Sequence, residues 1–206
     1  MPERSLPGAS KGVQMPRIEN LTKAYDDKLV LDGFSAQLPD AGFVAISGKS
    51  GAGKTTLLNI MMGLEKADSG SVIWPDGLTP VFSAVFQEDR LLPDMSARDN
   101  IIFVLKEDKE SAALNAEKLL TDLGLGDDID TKAKELSGGM ARRVAIARAL
   151  AFPANVYIMD EPIKGLDADT RQQTLDVIRR ETAGKLLIMV SHNPEDSEGA
   201  DMLLEM

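Results

Sequence analysis

The run Gly48, Lys49, Ser50, Gly51, Ala52, Gly53, Lys54, Thr55 constrains this 206-residue chain more than any other feature. Two glycines with four residues between them, then Lys and Thr, come after an apolar run of strand length at 43–46 and precede a helix-like apolar run over 56–62. Glycines there let backbone N–H groups curl around phosphate oxygens at a helix N-terminus, where the helix dipole also favours negative charge. In such a loop Lys54 reaches the β and γ phosphates, the Thr55 hydroxyl ligates Mg²⁺, and Thr56 opens the helix behind them.

Three further apolar runs, 81–86, 156–159 and 186–190, have strand length and β-branched or aromatic content. Near-continuous apolar strands of this kind suit a parallel sheet covered on both faces, which predicts an α/β fold. Each run gives way to glycine or to polar residues. The run at 43–46 leads to Gly48, the others to Gln87, to Asp160 and Glu161, and to Ser191 and His192. Ligands of open α/β sheets sit beyond the carboxyl ends of the strands, so these residues are expected to converge on one site. Asp160 at a strand end is suited to the Mg²⁺ shell, and Glu161, next along, is placed to act as general base on an attacking water.

The rest of the chain surrounds that sheet. Alternation over 16–40, with turn signals at Asp26–Asp27 and again at Asp32–Gly33, predicts an antiparallel β layer ahead of it. Residues 88–136, with an Ala-rich stretch around 111–120 and little strand propensity, read as a helical insertion. The acidic residues over 195–201 read as a solvated helix face, and Met140, Val144, Ala147 and Ala151 share one face of a helix. Residues 1–15, rich in Pro, Gly, Ser and charge, read as a flexible arm. Within 206 residues there are no cysteines and one histidine, which excludes disulfides, thiolate metal sites, a cysteine nucleophile and a multi-histidine centre. The net charge of -10 argues against binding nucleic acid through a basic field, and no apolar run has the length to cross a bilayer.

Leu136, Ser137, Gly138, Gly139 and Met140 open a second helix with a small hydroxyl residue and two glycines. That is another anion-binding nest, unless Ser137 is only a helix N-cap. With this second nest in view, the chain resembles the ATP-binding cassette (ABC) ATPases, the nucleotide-hydrolysing subunits of ABC transporters, over residues 16–206 with the motifs in order.

The resemblance implies a fold and a set of roles. The fold is a phosphate-loop core with a mostly parallel sheet, an N-terminal antiparallel layer and a helical subdomain over about 88–144, all in one domain. Tyr25 stacks on adenine, and residues 48–55 hold the phosphates. Gln87 senses Mg²⁺ and the attacking water, Asp160 holds the metal, Glu161 is the catalytic base and His192 the switch histidine. Ser137, Gly138 and Gly139 form the signature and Asp167 an interface aspartate. In the implied head-to-tail homodimer, Ser137 and Gly139 of one subunit close over ATP held by Lys54 of the other. The implied partners are membrane-spanning transporter subunits and a separate solute-binding protein, and the implied place is the cytoplasmic face of the membrane.

Two departures stand out: Met140 where the family has Gln most often, and Ile163, Lys164, Gly165 and Leu166 where a Ser-containing approach to Asp167 is usual. With Phe86, Gln87, Arg90, Leu91, Leu92 and Pro93 they bring the chain nearest to importer ATPases of the nitrate, sulfonate and taurine group. Ending at Met206, it has no room for the regulatory β domain of sugar and polyamine importers. Leu91 and Leu92 are expected to be exposed and to dock the membrane partner. A phosphate-loop GTPase is disfavoured because Thr22-Lys23 and Thr131-Lys132 lack the Asp that reads guanine. A non-transport ABC ATPase, in cofactor assembly or regulation, is the alternative function.

Overall fold

The computed structural model describes residues 15–26, 28–106 and 108–206; the expected arm at 1–15 lies, but for Met15, outside the described residues. Five parallel strands build the central sheet in the order β5-β6-β7-β3-β8: β3 is Gly42–Ser47, β5 Phe82–Val85, β6 Val156–Asp160, β7 Leu186–Val190 and β8 Met202–Glu205. A smaller antiparallel sheet, β2-β1-β4, is made from β1 Arg17–Tyr25, β2 Lys28–Gln37 and β4 Ser69–Ile73.

Side-chain alternation along the central strands feeds two cores. Val44, Ile46, Val156, Ile158, Ile188 and Val190 point to the side covered by the antiparallel layer and by α1 (Lys54–Met61). Ala45, Tyr157, Met159, Leu187 and Met189 point to the other. That second side is covered by α2 (Ala97–Ile102), α3 (Lys109–Asp122), α4 (Gly138–Ala151) and α5 (Ala168–Glu181). Burial of both faces is why these strands read as continuous apolar runs rather than alternating ones.

The expected turn at Asp26 is there, between β1 and β2. Asp32–Gly33 is not a turn: pairing jumps from Lys23↔Leu31 to Leu21↔Phe34, so the segment is a bulge within β2, with Gly33 at φ 61. β4 and β8 escaped the sequence reading because both are short and almost wholly unburied, with Leu204 their one buried side chain. In β4 the glycine and serines of an exposed edge erase the alternation, and Gly70 at φ 83 leaves no space for a Cβ, which would lie 2.4 Å from the Asn20 carbonyl oxygen. The acidic stretch is not a solvated helix face: a 3₁₀ turn, Pro194–Ser197, is followed by β8, and Asp196 is buried. Nor does α4 bury one stripe. Arg142, Val144, Ala145, Ile146, Ala149 and Leu150 are all buried, because the helix lies between α2, α3 and β5, tied to the last by the Ser83 hydroxyl donating to the Ala149 carbonyl at 2.7 Å.

Candidate functional site

Strand register brings the polar residues together. Asp160 pairs with Val190, and Val190 with Ile46, so β6, β7 and β3 end at one level. Val85 pairs with Met159, which leaves Gln87 just beyond that level on the neighbouring strand. A cavity of about 780 Å³ opens there, lined by Tyr25, Lys54, Thr55, Gln87, Asp160, Glu161 and His192. Ser50, Gly51, Gly53 and Thr56 also line it, while Gly48, Lys49 and Ala52 complete the same loop behind them.

The loop takes its shape from its glycines. Gly53, at φ 93, caps α1, and a Cβ there would lie 2.8 Å from the Val30 carbonyl oxygen of β2. No other residue fits both constraints. Lys54 is buried and its ammonium donates to the carbonyls of Gly48 and Lys49, at 2.9 Å each, leaving a third N–H for a phosphate oxygen. The Thr55 hydroxyl donates to Asp160 Oδ2 at 2.6 Å, whereas Asp160 Oδ1 is buried with no hydrogen-bond partner among the described residues. An orphaned carboxylate oxygen beside a hydroxyl and a phosphate loop fits Mg²⁺, which takes one or two protein ligands and completes its shell with phosphate oxygens and water.

Glu161 lies one residue beyond β6 with φ 50, a left-handed conformation uncommon outside glycine. Its N–H still donates to the Val190 carbonyl at 3.0 Å, so the backbone twist, rather than simple strand alternation, aims the carboxylate. One oxygen accepts from His192 Nε2 at 2.7 Å and the other from Lys164 Nζ at 2.5 Å. Burial works against the charged form of Glu161, but Lys164, with His192, overrides it and holds the carboxyl below its ordinary range. His192 is 44% exposed, so it is not a core histidine. The Tyr25 hydroxyl donates to Glu65 at 2.5 Å, which raises the phenol's pKa, and the residue lines the cavity.

The remaining candidates sit elsewhere. Ser137 caps α4, accepting from the Met140 N–H at 3.3 Å, and is exposed together with Gly138. Asp167 caps α5, accepting from the Thr170 N–H at 3.0 Å, and that bond lowers its pKa. These residues do not line the cavity, yet they share one patch: a Cβ on Gly139 would lie 3.3 Å from Leu166, the neighbour of Asp167.

Sequence reasoning missed two arginines and undervalued a lysine. Buried Arg142 donates to the carbonyls of Phe86 and Gln87 at 2.5 Å each and faces Asp89 at 3.2 Å, so α4 grips the Gln87 loop directly. Nothing in the sequence sets Arg142 apart from Arg143 and Arg148 on the same helix. Arg171 reaches from α5 to the buried Asp196. Lys164 appeared only as a departure from the family pattern, with nothing to indicate the pair with Glu161.

Comparison with known proteins agrees with this architecture. Residues 31–164 match the family described as ABC transporter. The chain is 37% identical over 188 residues to the aliphatic sulfonates import ATP-binding protein SsuB 1 of Rhizobium johnstonii, covering 87% of this chain and 68% of that one. It is 35% identical over 192 residues to the spermidine/putrescine import ATP-binding protein PotA of Mesoplasma florum, of which it spans 55% against 87% of its own length. Among solved structures, the dimeric ATP-binding cassette MJ0796 in a post-hydrolysis state bound to ADP and Pi superposes with a TM-score of 0.82 at 27% identity, covering 93% of this chain and 94% of that one.

Proposed function

The chain belongs to the ABC transporter family, and from that premise we propose that it is the ATP-hydrolysing subunit of an importer, working as a head-to-tail dimer on a separate membrane-spanning partner. One observation carries the reading: the orphaned Asp160 oxygen and the Thr55 hydroxyl lie on the same cavity as the Glu161–His192 pair, so phosphate and water sites adjoin.

Residues 48–55 and Thr56 bind the triphosphate, Lys54 neutralises its β and γ groups, and Tyr25 stacks on the adenine. Thr55 and Asp160, with Gln87 beside them, hold Mg²⁺, which when bound adds positive charge where the leaving phosphate gathers negative charge. Glu161 accepts the proton of the attacking water, and His192 steadies both Glu161 and that water. Ser137, Gly138 and Gly139 of a second copy, flanked by Asp167, close the site from the opposite side.

No helix among the described residues is long and apolar enough to cross a membrane, so attachment at the cytoplasmic face runs through the partner subunits. Leu92 is 37% exposed and held by Asn100, which accepts from its N–H at 2.8 Å and donates to its carbonyl at 3.1 Å; it is our contact for that partner. Leu91 packs against the core instead, contrary to expectation, and is left out. Leu92→Asp is therefore expected to abolish co-purification with the membrane subunit while nucleotide binding persists. The sulfonate importer relatives support a small sulfonate as the solute; its delivery by a separate binding protein is our expectation from the importer reading. Steady-state release of phosphate from MgATP by the purified chain, alongside Glu161→Gln, tests the assignment: turnover in the first and nucleotide binding without turnover in the second are expected.

A further inference from the structure

His192 is held by little of its own. Its side chain is 44% exposed, and it lies between the main cavity and a second of about 270 Å³. Its imidazole reaches Glu161, and it shares the lining of the smaller cavity with Arg171, Ser191 and Asp196. What steadies its backbone comes from outside the loop. The Ser191 hydroxyl, immediately before it, accepts from the Asn193 N–H at 3.1 Å and donates to Asp196 Oδ2. Asp196 in turn is 3% exposed and accepts at Oδ1 from Arg171 Nε at 2.6 Å, with a second guanidinium nitrogen close by. Glu195 adds an outer contact to Arg171 at 2.9 Å.

We propose that Arg171 is a positioning residue for His192, acting through Asp196 and Ser191 to fix the turn that carries the imidazole. A buried ion pair is weak evidence for stability, since two apolar side chains fill such a space as well. What it provides here is direction: two guanidinium nitrogens converge on Asp196 Oδ1, while Oδ2 accepts from Ser191, so the carboxylate is held from both of its oxygens. Arg171 also lies one helical turn after Asp167, its N–H donating to the Asp167 carbonyl at 2.8 Å. A displacement of the patch around Leu166 and Asp167, which we assign to the second subunit, thus moves the guanidinium that orients His192. This inference rests on the role proposed for His192.

The test is a double-mutant cycle on MgATP turnover by the full chain with Arg171→Met, His192→Ala and the two combined. Arg171→Met should lower kcat about 10- to 100-fold with KM changed less than about twofold, the size expected when a reacting group shifts by about 1 Å. The combined variant should then be no slower than His192→Ala alone; losses that multiply overturn the proposal, as does a rise in KM matching the fall in kcat. Arg171→Lys, which keeps the charge without the planar fork, should recover only part of the rate, and full recovery counts against an orienting role.

Because Arg171→Met strands a buried carboxylate, Arg171→Met/Asp196→Asn serves as a companion that removes both charges; wild-type kcat in that folded companion overturns the proposal. A second readout needs no nucleotide. Amide hydrogen exchange at Asn193 and Glu195 should quicken by about tenfold or more in Arg171→Met, and unchanged protection refutes the proposal. A wild-type chain without turnover fails the functional reading, while the exchange measurement still decides whether Arg171 fixes this turn.

Discussion

The chain carries two glycine-bearing helix entrances, at residues 48–55 and at 137–139, and they end up in different circumstances. At the first, side chains from four strand ends converge: Lys54 and Thr55 after β3, Asp160 and Glu161 from β6, His192 after β7, Gln87 after β5. At the second, Ser137 satisfies its own helix by capping it, Leu166 approaches Gly139, and Arg143 donates to the Gly139 carbonyl at 3.3 Å. Both offer backbone N–H groups and a helix dipole to an anion. Only the first is furnished with charge, metal ligand and base. A helix N-terminus therefore attracts phosphate generally but does chemistry only where other elements bring side chains to it, and in the dimer we propose the second entrance meets them on another copy.

The largest effect is expected at the furnished site. Glu161→Gln keeps the shape of the side chain while removing the base and one of its two acceptor oxygens, so kcat should fall about 10²- to 10⁴-fold with nucleotide still bound. Near-normal turnover would show that the first entrance owes less to its side chains than the contrast requires.

Ser137→Arg addresses the unfurnished one. Sedimentation of Glu161→Gln with MgATP should show dimer, and adding Ser137→Arg should return it to monomer with nucleotide affinity per subunit preserved. If ATP-dependent dimer persisted, the second entrance would not be completed in trans.

Arg142 binds the two regions within one chain, since it sits on the helix that Ser137 opens and grips the backbone of Gln87. Arg142→Leu removes these bonds and leaves half-buried Asp89 with a weaker counter-charge, for an expected loss of about 2 to 3 kcal/mol in urea denaturation. A loss under about 0.5 kcal/mol, the usual range for surface changes, would make the grip ornamental.

Lys164→Ala should have the smallest effect on the fold, within about 0.5 kcal/mol, because the lysine side chain is 70% exposed. Its informative outcome is kinetic. Freed from Lys164, one Glu161 oxygen becomes available to water, and basal turnover should rise severalfold in a steady-state assay; a fall would instead assign the ammonium to the phosphate.

The phosphate loop, the strand runs and the carboxylates at the end of β6 were legible because each is a contiguous run whose chemistry depends on near neighbours. Residues 48–55 carry their own turn-forming glycines, and apolar runs such as 156–159 declare burial on both faces wherever the sheet places them. By itself, then, the sequence determined that a phosphate loop and a strand-end carboxylate pair exist, and that a second glycine-bearing helix entrance opens at Ser137. Convergence of the first two was inferable from the rule that parallel strands share a ligand edge.

The tertiary structure alone decided which groups hold them. Arg142 meets Phe86 across 56 positions, Arg171 meets Asp196 across 25 and Thr55 meets Asp160 across 105. The first two contacts have no local signature, because an arginine's partner is whichever carbonyl or carboxylate the packing brings within about 3 Å. β4 and β8 were hidden for a related reason: almost none of their side chains are buried, Leu204 alone in β8 and none in β4, so neither carries an apolar pattern, whereas β5, also an edge strand, buries alternate residues.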